Sequence, residues 1–147
     1  MAGPPGSGKS TYARQRVEND GAVWCSRDIV RFRLVGEDEE YFSHEDEVFE
    51  TWIAEIQYAI DNAPEGTDIY ADATHLNERS RDKTINALNL KDCELCVYNF
   101  YLPLENCLMR NNLRSGRARV PDSVVKRMWF NFIPARDNKK YHIIENV

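Results

Sequence analysis

The chain has 147 residues, 42% of them hydrophobic and 29% charged, and a net charge of −5. This length suits one domain with a sizeable core, and the composition is that of an ordinary soluble globular protein. No apolar run approaches the ~20 residues that a membrane-crossing helix needs, and no secretory signal is visible, so no membrane partner is expected.

The chain opens with Gly3-Pro4-Pro5-Gly6-Ser7-Gly8-Lys9-Ser10-Thr11. This matches the phosphate-loop (Walker A) pattern of glycine, four residues, then Gly-Lys-Ser/Thr at every fixed position. Gly3, Gly6 and Gly8 let the backbone wrap a phosphate with its N–H groups turned inward, a path that side chains would obstruct. Ser7 and Thr11 belong to the same nucleotide-binding set. Lys9 supplies a compact positive charge to the β- and γ-phosphates of ATP, and the hydroxyl of Ser10 is a ligand for Mg²⁺. A helix starting near Ser10 aims its N-terminal N–H groups at the same anion. A loop of this type follows a buried strand, yet only Met1 and Ala2 precede Gly3. The expectation is that apolar residues ahead of Met1 form that strand, or that another segment fills the gap beside residues 68–71.

The rest of the chain alternates strands and helices. Residues 10–19 read as a helix, stopped at Asn19-Asp20-Gly21. Ala22-Val23-Trp24-Cys25 reads as a strand, with Ser26-Arg27-Asp28 at its carboxyl end, the edge where open α/β sheets bind ligands. A short helix over 29–34 follows. Phe49, Trp52, Ile53, Ile56 and Ile60 recur at helical spacing and mark a helix over 45–62. Strands are expected at 68–71, 94–101 and 141–144, and helices at 77–89, 104–114 and after Pro121-Asp122. Asp72-Ala73-Thr74-His75 lies at the end of the second strand. His75 reads as a surface or cap residue. The pattern predicts an α/β fold: a phosphate-loop NTPase-type parallel sheet with helices on both faces, a small helical lid, and residues 1–147 as a single domain.

Charge and cysteine usage refine this reading. Eight of the 24 acidic residues lie in 37–50, a run without Lys or Arg that reads as a solvated surface. The remainder carries 19 basic and 16 acidic residues, with four arginines between positions 110 and 119. Cys93 and Cys96 read as core or near-core thiols rather than as half a metal site or a redox pair. With Cys25 and Cys107 they suit a reducing cytoplasm, the host's if the source is viral.

Four blocks in order carry a family resemblance: Gly6-Ser7-Gly8-Lys9-Ser10-Thr11; Ser26-Arg27-Asp28 with Arg31; Asp72-Ala73-Thr74 before an arginine-bearing helix; and Arg110, Arg114, Gly116 and Val120-Pro121. The chain resembles the kinase domain of bacteriophage-type polynucleotide 5′-hydroxyl kinases. The resemblance implies transfer of the γ-phosphate of ATP to the 5′-hydroxyl end of DNA or RNA, with nucleic-acid ends as partners. It implies that Asp28 is the general base and that Arg31 assists it. Arg27, Asp72 and Thr74 then hold the acceptor, while Arg110 and Arg114 are lid arginines, Arg114 reaching the transferring phosphate. The 3′-phosphatase activity of some family members is not carried over.

Other readings of the same residues stand beside these. Asp28 could serve as a helix N-cap, Asp72 as a cap or as a carboxylate that reaches Mg²⁺ through one of its ligands, and the arginines as a solvated lid surface. The alternative function is a phosphate-loop kinase acting on a small-molecule hydroxyl of a sugar, nucleoside or antibiotic. The sequence leaves open whether copies of the chain associate.

Overall fold

The computed structural model describes residues 1–145; the expected single domain also takes in residues 146 and 147, which lie outside the described residues. Helix α1 (Lys9–Asp20) leads to strand β1 (Val23–Ser26), helices α2 (Arg27–Leu34) and α3 (Glu45–Asn62), and strand β2 (Ile69–Asp72). Helix α4 (Glu78–Asn86), strand β3 (Cys96–Asn99) and helix α5 (Leu104–Asn112) follow. A 3-10 turn (Gly116–Ala118), helix α6 (Asp122–Phe130) and strand β4 (His142–Glu145) complete the order. The expected alternation is present. The third strand is shorter than expected, and Cys93 lies before it in an exposed loop, so it is not a core thiol.

Local chemistry accounts for the boundaries. Gly21 ends α1 in the left-handed conformation, its N–H bonded back to Val17 O. Ser26 caps α2 by accepting from Ile29 N at 3.4 Å. Asn77 and Ser80 form a reciprocal capping box at the start of α4. Pro103 and Pro121 stand directly before α5 and α6.

β1 pairs parallel with β2 from Val23↔Ile69 to Ser26↔Asp72, and β3 pairs parallel with β4 from Cys96↔His142 to Asn99↔Glu145. Residues 1–3 join the two pairs. Met1 N donates to Ala71 O at 3.0 Å and Gly3 N to Thr74 O at 2.9 Å. On the other side Ala2 N donates to Tyr98 O and Phe100 N to Ala2 O, both at 2.8 Å. The spatial order is therefore β1, β2, residues 1–3, β3, β4, all parallel.

Both faces are covered. Ile69 and Ala71 pack toward a core of Val30, Val35, Val48, Trp52 and Ile56 from α2, the loop after it, and α3. Tyr70, on the alternate face, packs with Ala13 of α1, Phe100, Tyr12 and Tyr98. A third cluster gathers Ala2, Val97, Phe132, Ala135 and Tyr141.

No described segment fills the rest of the gap beside β2. A cavity of about 560 Å³ runs on from Met1 between Ile69, Tyr70, Leu95 and Val97, with Ile56 among its walls. The parallel topology stands because residues 1–3 bond to both neighbours and fix direction and register. Placing Val-Ile-Val ahead of Met1 is expected to stabilise the fold. A fully buried aliphatic side chain contributes about 1.5–3 kcal/mol, and 1 kcal/mol moves the melting temperature of a chain this size by about 4 °C. Thermal melting should show a rise of several degrees for this variant and none for a Ser-Asn-Ser control.

Candidate active site

The phosphate loop leaves β-type backbone at Gly3 and enters α1 at Lys9. Gly6 has φ 81°, and a Cβ there would stand 2.4 Å from the carbonyl oxygen of Cys107, so the loop lies flat on the backbone of α5. Gly8, φ 105°, is the N-cap of α1 and offers no side-chain acceptor to the first helical N–H groups. Those donors are left for an anion.

Lys9 is buried. Its Nζ donates to Gly3 O at 2.8 Å, Pro4 O at 3.0 Å and Ser7 Oγ at 3.4 Å. Burial pushes its pKa down, Asp72 and Asp28 oppose that shift, and Arg114 adds to it. Both carboxylates and the lid arginine therefore act on one ammonium group. Ser10 Oγ donates to Asp72 Oδ2 at 2.7 Å, and Trp24 Nε1 donates to the same oxygen at 3.1 Å. A hydroxyl beside a carboxylate is the hard oxygen set that Mg²⁺ takes alongside nucleotide phosphates, and the loop's free donors and Lys9 suit the phosphates. The residues present thus fit both ATP and the metal.

Asp28 lies in the first turn of α2 with its side chain 65% exposed. The cap of that helix is Ser26, which removes the N-cap alternative for Asp28. Its Oδ1 accepts from Arg31 Nη1 at 2.5 Å and from the Tyr41 hydroxyl at 3.4 Å. Arg31 is buried and fully engaged: it also donates to Glu45 at 2.8 and 3.1 Å, and its guanidinium lies 4.8 Å from the centroid of Tyr41. Arg27 donates to Glu45 at 2.9 Å and lies over Phe49. Glu45 is therefore not part of a solvated acidic surface; it is the counterion of both arginines.

The lid arginines divide. Arg110 reaches over the loop, its Nη1 3.3 Å from where a Cβ on Gly8 would sit. Arg110 and Arg114, with Lys9, partly offset the rise that burial imposes on the Cys107 thiol, which fits their place around the loop. Arg117 donates to carbonyls at the end of α2, and Arg119 donates to Asn112. Thr11 is exposed; Thr74 enters through its backbone carbonyl, which accepts from Gly3 N. Sequence reasoning missed Trp24, Tyr41 and Glu45. In the sequence Glu45 is one acid of the run 37–50, which does not reveal that it pairs with arginines 14 and 18 residues away.

His75 is buried, contrary to the surface reading. Its Nδ1–H donates to Met1 O at 2.7 Å, and Nε2 accepts from the Thr84 hydroxyl at 3.0 Å. Arg81, also buried, donates to His75 O and Ile133 O, both at 3.0 Å. No group of three or more His, Cys, Asp or Glu side chains suited to a metal occurs among the described residues. No helix among them is long and apolar enough to cross a membrane.

A parallel sheet with a phosphate loop at its carboxyl edge and an arginine-bearing lid defines a phosphate-loop nucleotide-binding protein with a kinase-like fold. The chain belongs to the AAA domain family, whose model matches residues 1–135. Among solved structures it is similar to a gluconokinase from Sinorhizobium meliloti 1021, with a TM-score of 0.61 and 17% identity over 98% of this chain and 79% of that one. No curated protein matches significantly.

Burial lowers the His75 pKa from 6.5 to about 3. The unfolded chain therefore binds a proton that the folded chain does not, and this residue's contribution to stability falls as pH drops from 6.5 toward 3. The slope is about 1.4 kcal/mol per pH unit. In His75→Asn, which tolerates the left-handed backbone found here (φ 43°), urea unfolding between these pH values should show a slope smaller by one proton. An unchanged slope would count against a buried neutral ring.

Proposed function

We propose that the chain is an ATP-dependent phosphotransferase that moves the γ-phosphate onto an alcohol hydroxyl. The observation that carries this reading is the phosphate loop with its helix N-terminus left uncapped at Gly8, Lys9 buried against it, and the Ser10 hydroxyl donating to Asp72 Oδ2 at 2.7 Å. Lys9 and the loop N–H groups hold the phosphates. Ser10 and Asp72 would hold Mg²⁺, which when bound would supply charge neutralisation at the phosphates. Asp28 accepts the hydroxyl proton while the acceptor oxygen bonds to the γ-phosphorus. The bond from that phosphorus to the bridging oxygen breaks, and ADP leaves. Arg114 stabilises charge on the transferring group, and Arg110 covers the loop.

A small-molecule hydroxyl is the acceptor that the electrostatics favour. A polyanion is held by free cations, and here Arg27 and Arg31 are paired with the carboxylates of Glu45 and Asp28, and Arg117 is spent on backbone carbonyls. A second reading, the 5′-hydroxyl end of DNA or RNA, draws support from the four sequence blocks, of which Asp72 bonds Ser10 and Arg110 reaches over Gly8.

Incubation with γ-labelled ATP, a set of 5′-hydroxyl oligonucleotides, and a set of sugars and nucleosides separates the two. Labelling of the small molecules, with an acceptor KM indifferent to salt, is expected; oligonucleotide labelling that weakens steeply with salt would establish the second reading. Lys9→Ala should abolish most transfer while melting as the parent does. Asp28→Asn should lower kcat by about 10²–10⁴ with ATP affinity within a few-fold. A fully active Asp28→Asn protein would remove the general base.

A further inference from the structure

The 3-10 turn of the lid is docked on the body of the molecule. Arg117 donates from Nη2 to Val35 O at 2.7 Å and from Nη1 to Phe32 O at 3.4 Å. Its guanidinium lies 5.1 Å from the centroid of the Phe32 ring. These carbonyls belong to the C-terminal end of α2, where the backbone acceptors lack helical partners and the dipole is negative. A planar group with several donors can serve two such carbonyls and stack on a ring at once; an ammonium cannot.

The packing continues inward. Phe32 meets Tyr41 edge-on, with centroids 6.4 Å apart. The Tyr41 hydroxyl accepts from Arg31 Nη1 at 3.3 Å and donates to Asp28 Oδ1 at 3.4 Å. A contiguous set of side chains thus runs from the lid to the carboxylate at the opposite end of α2. The base of the lid loop is closed independently, by Asn111, whose amide bonds both Val120 O and Val120 N. Among the described residues, the hydrogen bonds from this loop to α2 come from Arg117.

We propose that Arg117 is a positioning residue that ties docking of the lid to the placement of Asp28, through Phe32 and Tyr41. The proposal rests on the phosphotransfer reading and assigns Arg117 a task different from that of Arg110 and Arg114. With the lid down, α2 is capped and the Tyr41 wall behind Asp28 is held. When Arg117 releases α2, Asp28 keeps its partner Arg31 but no longer has the support that fixes the pair against the loop.

The test uses the full chain carrying Arg117→Ala, Arg117→Lys, Tyr41→Phe, or Arg117→Ala with Tyr41→Phe. Phosphate transfer from ATP to a hydroxyl acceptor is measured together with backbone hydrogen exchange of residues 29–31. Arg117→Ala should lower kcat by about 10- to 100-fold, the scale of a 1 Å misplacement, with the KM for ATP within about twofold. Arg117→Lys should recover part of the rate. The double variant should be no slower than the worse single variant, because both changes interrupt one set of packed side chains. Residues 29–31 should exchange faster in Arg117→Ala. Multiplying effects, a raised KM for ATP at unchanged kcat, or unchanged exchange at 29–31 would overturn the proposal. If the parent protein phosphorylates no hydroxyl, the phosphotransfer reading fails on its own. Exchange then still decides the coupling: faster exchange at 29–31 supports it, and parental exchange overturns it.

Discussion

The hydrogen bonds of residues 1–3 are the constraint on which the site depends. Three residues bond to β2 on one side and to β3 on the other, and so set two half-sheets side by side. The same three residues deliver the chain to Gly3 at the carboxyl edge of the sheet. There the loop must turn, and there the ends of β1 and β2 present Ser26 and Asp72 in register. Because β1 and β2 are parallel, both project their next residues to the same edge, and Ser10 meets Asp72 although 62 positions separate them.

Charge burial is handled by pairing. Lys9 is surrounded by backbone carbonyls and has Asp72 and Asp28 within electrostatic reach, which offsets part of the desolvation that pushes its pKa down. Bound phosphates would take over from the carbonyls of Gly3 and Pro4, an exchange of neutral acceptors for charged ones. Arg31 and Arg27 share one carboxylate, Glu45, and stack on aromatic rings. This leaves Asp28 as the member of the group with most of its surface toward solvent. The arrangement keeps one carboxylate accessible beside a nucleotide loop while its cationic neighbours are committed to structure.

Local pattern alone was enough for much of this. The glycine spacing and Lys9-Ser10 specify a loop and helix start through backbone geometry within nine residues. The apolar spacing of α3, the strand runs and the stops at Gly21, Pro103 and Pro121 fix the elements, because helix and strand periods and breaker residues act over a few positions. Asp28 and Asp72 were legible as candidates because the sequence puts each at the carboxyl end of a strand, and strand ends in a parallel sheet share an edge.

Partnerships were decided only by the tertiary structure. A run of acids around Glu45 reads as solvent-facing until α3 packs against α2 and turns that one carboxylate onto Arg27 and Arg31. His75 looks polar and exposed in sequence, yet the junction of residues 1–3 with β2 buries it between Met1 and Thr84. Arg117 is one of four arginines in ten residues, and nothing local marks it as the one that grips α2, 82 positions away. Which charge pairs with which depends on distances across the fold, and sequence spacing carries information about distance only within a single turn, helix or strand.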